Sequence, residues 1–379
     1  MDALNLSTEV LDWAAKSVGE SLESLAHAIA RREVVRERIM RGELTIAQAE
    51  KVAQKTRVPF GLLFLESPPR LEQPTIPDLR QTDTPDPLSR DFFDVLADVL
   101  GKQEWYTDHL KRIDAAPLPF VGKFRFSERP TSEVIAADIQ ETVGLTDDIR
   151  RENGTPETYF TGISAKIEEV GVLVMKNGIV KSNTHRALAE GEFRGFALVH
   201  PLAPIIFVNG RDAGVAAVFT LIHELVHIWL GESGVSDVFG PKARALERLC
   251  NQVAADLLVP KAEFLREWRL TPDPMTVARH FRVSRFVVGI RAVQLGVLSQ
   301  DNFDRLTTTP LPARRKREGG GDGLKNIPVR NSKRLTQALV TSALHGGTLI
   351  RDAARLLNVK PATVMNLARP APARPRRRG

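Results

Sequence analysis

Residues 219–235 read FTLIHELVHIWLGESGV, an almost wholly apolar run that carries His223, Glu224 and His227. The length and composition of the run predict a buried helix. On such a helix, residues four apart share one face, so the two imidazoles can bind one ion together. Glu224 stands beside them, placed to take a proton from an activated water. An unpaired carboxylate on a buried helix is costly, and a metal centre accounts for all three polar residues at once. The pattern is HExxH, and zinc suits it, because imidazole nitrogen is a good zinc ligand. Catalytic zinc uses three protein ligands, so a further carboxylate is needed.

The next plausible helix is KARALERLCNQVAADLLV, residues 242–259, which follows the turn GESGVSDVFGP. Glu247 stands 20 residues after His227 and can supply the third ligand. Asn251 lies one turn later on the same face, where it can hydrogen-bond the far nitrogen of a ligand histidine. Asp256 competes for either task from two more turns along. Cys250 reads as a small core side chain, with a cysteine switch of the metal as the lesser alternative. Upstream, GVLVMK (171–176), RGFALVH (194–200) and IIFV (205–208) are short β-rich runs bounded by Gly, Asn and Pro. An extended peptide can add beside RGFALVH through main-chain hydrogen bonds. Candidates for stabilising a transition state are Tyr159, His185, Arg194 and His200, each also readable as a surface or packing residue.

FRGFALVHPLAPIIFVNGRD, FTLIHELVHIWLGESGV and LERLCNQVAADLLVP, in this order and spacing, resemble the ImmA/IrrE family of metallopeptidases. The resemblance covers about residues 156–260. It implies a minimal gluzincin fold, a small sheet whose edge strand lies over the active helix. It also implies Zn²⁺ held by His223, His227 and Glu247, with Glu224 as general base of a metallo-endopeptidase. Fusion members of the family with a repressor-like N-terminus are often antitoxin-like transcriptional regulators. Some are neighbours of a toxin with a PIN-type ribonuclease domain.

The expected fold is therefore α+β and mainly helical, a gluzincin-like core flanked by helix-turn-helix-like domains. The expected parts are a repressor-like domain (1–68), a proline-rich arm and helical connector (69–155) and the peptidase core (156–260). A helix-turn-helix-like C-terminal part of the core (261–311), a flexible linker (312–325) and a basic helical module with its tail (326–379) follow. In the first part, Leu22, Leu25, Ala26 and Ile29 recur at helical spacing, and Thr45 can cap a helix over IAQAEKVAQKT. The arm SPPRLEQPTIPDLRQTDTPDP holds six prolines and excludes a helix or inner strand. DFFDVLADVLGKQEWYTDHLKR reads as a long helix, and PARRKREGGGDG as linker.

Three segments are candidates for reading DNA. Residues 21–64 resemble a repressor-type domain, but ARREVV stands where a small turn is expected. Contacts through Arg31, Arg32, Arg36, Arg38 and Arg41 are one reading; a domain kept for packing or homodimerisation is the other. MTVARHFRVSRFVVGIRAVQLGVLS (275–299) has a cleaner helix–turn–helix pattern but falls in the body of the peptidase. TLIRDAARLLNVKPATVMNLA (348–368) repeats the logic between basic stretches.

The net charge of +7 is uneven: residues 311–379 hold 16 Lys/Arg against 3 Asp/Glu, leaving the rest acidic. A tail ending ARPRRRG suits a polyanion such as nucleic acid, or serves as a solubilising end. One cysteine excludes an internal disulfide framework, and no run of 18 apolar residues exists. MDALNLSTEV lacks the basic and apolar parts of a signal peptide, so the expectation is a cytoplasmic protein without a membrane role. A protein that neutralises a toxin by binding alone, with zinc kept for structure, is the alternative to an active peptidase. A secreted or housekeeping peptidase fits the basic tail and absent signal least well.

Overall fold

The computed structural model describes residues 4–18, 20–56, 58–69, 78–79, 88–189, 191–212, 214–236, 241–308 and 323–368. It is α+β and mainly helical, and the chain divides into two compact units. Most of the proline-rich arm, residues 309–322, which include 312–322 of the expected linker, and the tail 369–379 lie outside the described residues.

The first unit comprises residues 1–75 and 86–96. Strand β1 (Leu4–Asn5) pairs antiparallel with β2 (Glu43–Leu44), and helices α1 (Thr8–Lys16), α2 (Leu22–Ile29) and α3 (Glu33–Met40) lie between them in sequence. Helix α4 (Ile46–Thr56) follows, and Thr45 starts it as expected. The Thr45 N–H donates to Gln48 Oε1 at 2.8 Å, and the Gln48 N–H returns to Thr45 Oγ1 at 3.3 Å. Leu11, Leu25, Ile39, Leu44, Val52 and Leu63 fill the core. Gly42 has φ +85°, and a Cβ there would meet the Leu6 carbonyl oxygen at 2.1 Å, so only glycine fits the β2 approach.

The arginines proposed for DNA contact sit on and beside α3. Arg36 Nη1 lies 2.8 Å from His27 Nδ1, and Arg41 pairs with Glu37 at 3.5 Å. Arg38 is exposed on the same helix. Helices α2 and α3 are separated by residues 30–32 alone.

The second unit comprises residues 76–85 and 97–379. Strand β3 (Asp78–Leu79) belongs to it, as does the larger part of helix α5 (Arg90–Arg112). Helices α6 (Ser132–Val143), α7 (Asp147–Glu152) and α8 (Pro156–Glu169) lead to three strands, β4 (Leu173–Asn177), β5 (Gly195–Leu198) and β6 (Ile205–Asn209). Helix α8 starts on a reciprocal Thr155–Thr158 cap with Pro156 at its first position. Helix α9 (Gly214–Leu230), strand β7 (Gly234–Ser236) and helix α10 (Pro241–Leu258) come next.

The sheet runs β3–β7–β5–β6–β4, with β4 parallel to β6, β5 antiparallel to both β6 and β7, and β3 parallel to β7. Its central strands are buried and apolar, which is what a sheet covered by helices demands. The core beneath α9 and α10 draws on Phe160, Ile206, Leu225, Trp229, Val253 and Phe264.

Helices α11 (Lys261–Leu270), α12 (Pro274–Phe281), α13 (Arg285–Gln294) and α14 (Gln300–Thr308) follow. Helices α12 and α13 are joined through residues 282–284, with Arg282 at φ 54°. Its second helix is a packing element: Val287, Val288 and Ala292 join the core, and Arg291 Nε donates to the Val259 carbonyl at 2.9 Å.

Helix α15 (Gly323–Asn331) begins within the stretch expected as linker, and α16 (Lys333–Leu344), α17 (Ile350–Leu356) and α18 (Pro361–Leu367) complete the chain's described part. This end is fastened to the body. Arg334 Nε donates to Tyr106 Oη at 2.8 Å, Asn358 Nδ2 to Asp98 Oδ1 at 2.9 Å, and Ser182 Oγ to the Asn358 carbonyl at 2.7 Å. Ser332 Oγ also donates to Glu168 Oε1. No helix among the described residues is long and apolar enough to cross a membrane.

Candidate metal centre

Helix α9 is buried continuously from Ala217 to Leu230. Burial on every side explains why the sequence shows no polar face there. Its C-terminal carbonyls, which a helix leaves without partners, are answered from outside. The Gly122 N–H donates to the Ile228 carbonyl at 2.9 Å and the Phe124 N–H to that of Trp229 at 3.1 Å. Phe120 stacks on Trp229 at 4.3 Å between ring centroids, and Trp229 Nε1 donates to Asp138 Oδ1 at 2.7 Å.

Against this helix lies α10, which brings Glu247 to the histidines. His223 Nε2 is 3.0 Å from Glu247 Oε2, His227 Nε2 is 3.3 Å from Glu247 Oε1, and the two Nε2 atoms are 3.2 Å apart. Three lone-pair donors from two helices thus converge on one point. Ligand atoms on a tetrahedral ion at about 2.0 Å stand about 3.3 Å from one another. The donor set and its spacing fit zinc.

The outer nitrogens complete the geometry. His223 Nδ1–H donates to Asn251 Oδ1 at 3.0 Å, which leaves Nε2 with its lone pair facing the other donors. His227 Nδ1 is buried and meets no hydrogen-bond partner among the described residues. Burial works against charge on these groups, yet they hold each other. Burial pushes the Glu247 carboxyl up, but His223 and His227 beside it bring it down to about 2. Burial alone would lower His223, whereas Glu247, Glu224 and Asn251 leave it raised. The site therefore has the electrostatics of an anion clasped by two imidazoles, a charge arrangement that a divalent cation can replace.

Glu224 is 1% exposed and packs where strand β5 starts. A Cβ on Gly195 would lie 3.1 Å from Glu224 Oε1, 2.7 Å from Thr220 Cγ2 and 2.8 Å from the Phe207 carbonyl oxygen. Gly195 is thus what lets the strand approach the helix at the carboxylate. Nothing in the sequence singles it out beyond its place as a glycine at the head of the apolar run FALV.

Asp256, the competing carboxylate, is elsewhere: it pairs with Arg291 Nη1 as a buried ion pair. Cys250 Sγ lies within 4.8 Å of the imidazole nitrogens. Burial first, then Glu247 and Glu224, push its thiol well above the usual cysteine range. Cys250 is fully buried in the core, and its sulfur stands near the same point as the imidazole nitrogens.

Of the four residues considered for transition-state stabilisation, His185 and Arg194 are exposed, His200 is half-buried and Tyr159 is buried. His200 Nδ1 accepts from the Leu202 and Ala203 amides and so builds the turn before β6. The His185 N–H donates to Asn183 Oδ1, and the Arg194 carbonyl accepts from the Asn209 N–H. Tyr159 is buried in the core, where burial raises its phenol to about 12.

No curated protein and no solved structure matches the chain. Residues 331–369 match the model of a domain of unknown function, DUF8813. Residues 167–293 match the model of the Peptidase_M78 family, the IrrE N-terminal-like domain, and the match takes in β4 through most of α13. Residues 167–293 are thus similar to the IrrE N-terminal-like domain, and it is inside that span that Glu247 meets both histidines.

Proposed function

We propose that this protein is a zinc-dependent metallo-endopeptidase with a gluzincin-like core, in which His223, His227 and Glu247 hold the metal and Glu224 is the general base. The observation that carries the reading is the meeting of three residues within the matched domain, the two imidazole Nε2 atoms 3.2 Å apart and each 3.0 to 3.3 Å from one oxygen of Glu247. Bound zinc supplies a Lewis acid that lowers the pKa of a water toward ~7 and polarises a peptide carbonyl. The chain's own residues do the rest. Asn251 fixes the tautomer of His223, and Gly195 brings the β5 backbone onto Glu224. Glu224, walled off from bulk water, takes the proton from the attacking water and passes it to the departing amine.

The wider reading is an antitoxin-like transcriptional regulator that recognises a protein partner, with a helix-turn-helix segment binding DNA and a PIN-type ribonuclease as the toxin. Its support is the family resemblance together with the basic residues 311–379. A second reading is a non-catalytic zinc protein that neutralises the toxin by binding. The burial of Glu224 and of all three ligands favours it, since a working site must admit substrate.

Metal analysis tests the site: one zinc per chain is expected, with loss of metal in Glu247→Gln. A protein purified without zinc, and of unchanged stability in that variant, would sink it. Glu224→Gln separates the two readings. With zinc retained, a variant that still neutralises the co-expressed ribonuclease in a growth-rescue assay speaks for binding, and one that fails speaks for proteolysis.

A further inference from the structure

Strand β5 is the strand that reaches Glu224, so its edge away from β6 is the edge beside which an extended peptide would be held. That edge is already filled. Strand β7 pairs along it antiparallel, with Phe196 opposite Val235 and Ala197 opposite Gly234. Strand β3 of the proline-rich arm pairs in turn with β7, Asp78 opposite Val235 and Leu79 opposite Ser236. The Val199 N–H donates to Ser233 Oγ at 2.9 Å on the same side.

The groups of the site are sealed: His223 is 6% exposed, Glu224 1%, His227 0% and Glu247 1%. We propose that β7, held down by the Asp78–Leu79 strand, is a built-in plug on the substrate edge of β5. An extended segment of a protein partner opens the site by displacing the arm's strand. This rests on the metallopeptidase reading of the same site.

The arm suits such a role. Among the described residues it has a single two-residue strand, Asp78–Leu79, paired with β7. A pairing two residues long also presents few main-chain hydrogen bonds, so a longer extended segment competes with it successfully.

The experiment uses the full-length, zinc-loaded protein and two separate substitutions, Asp78→Pro and Leu79→Pro. Successive amides of a strand point to opposite sides, so one variant removes a donor to β7 and the other is its control. One readout is amide exchange of Ala197, whose N–H points to the β7 side as that of Val199 does. The other is cleavage of fluorescein-labelled β-casein that 1,10-phenanthroline abolishes. One of the two variants is expected to speed Ala197 exchange about tenfold or more and to raise chelator-sensitive cleavage, with zinc content unchanged. Adding a synthetic peptide of residues 74–83 in trans should reverse both effects. Unchanged Ala197 exchange in both variants would overturn the plug. Faster exchange with no cleavage in any form leaves the plug standing and overturns the peptidase reading beneath it.

Discussion

Asn251 accepts a hydrogen bond from His223 Nδ1–H at 3.0 Å, one helical turn beyond the carboxylate that meets the same ring's Nε2. One face of α10 therefore both contacts the imidazole and sets which of its nitrogens is a donor. Replacing Asn251 by Ala removes the orienting partner and keeps every proposed ligand. Zinc affinity is expected to fall about 10- to 100-fold, read by competition with a chromophoric chelator. An unchanged affinity would show that packing alone orients the ring.

Gly195→Ala places a methyl group against Thr220, the Phe207 carbonyl and Glu224. Two of those neighbours are backbone or β-branched and cannot swing aside. We expect a loss of about 1–3 kcal/mol in unfolding free energy, measured by denaturant titration. Loss of chelator-sensitive activity should exceed what the stability change explains.

Glu263 receives both Arg150 Nη2 contacts at 2.7 Å and lies 2.8 Å from His280 Nε2. Burial pushes its carboxyl up, but Arg150 and His280 outweigh that and hold it below the ordinary value. A depressed carboxylate stabilises the fold above its unfolded pKa and loses that contribution as pH falls through the folded pKa. The wild type should therefore lose stability in acid below the ordinary glutamate range, and Glu263→Gln should lose less over that window. At neutral pH the variant leaves Arg150, 7% exposed, without its main counter-charge, a cost of about 3 kcal/mol. Thermal melts at neutral and acid pH check both signs.

DNA binding, where it occurs, is expected to weaken steeply with salt. Neutralising Arg36, Arg38 and Arg41 together should flatten the slope of log affinity against log salt by about 0.9 for each phosphate left without its cation. A slope unchanged by this triple substitution and reduced by deleting residues 311–379 would place DNA binding at the other end of the chain.

The parts of this architecture legible in sequence were those with a period or a fixed spacing. Residues 219–235 declared a buried helix by composition, and the 20-residue step from His227 to Glu247 matched the distance between adjacent antiparallel helices. The strands at 171–176, 194–200 and 205–208 were readable from apolar runs between turn residues. What escaped was non-local. Nothing in the words GVS or DL announces that residues 234–236 and 78–79 will lie side by side on the sheet. Asp256 was ambiguous until Arg291, 35 residues on, claimed it. The helix–turn–helix pattern at 275–299 was visible, but only the packing of Val287 and Val288 showed that its second helix belongs to the core.

The amides of Gly122 and Phe124 hold the end of α9 from a loop more than one hundred residues earlier in the chain, and Gly231 passes so close to Gly122 that a Cβ on it would meet the other's Cα at 3.1 Å. The axial position of His223 and His227 is thus indexed to that loop as well as to their own helix. A helix so pinned cannot slide by a fraction of a turn to suit a larger or smaller ion. Enlarging Gly231 should shift the end of α9, and His223 and His227 with it, while leaving every donor atom in place.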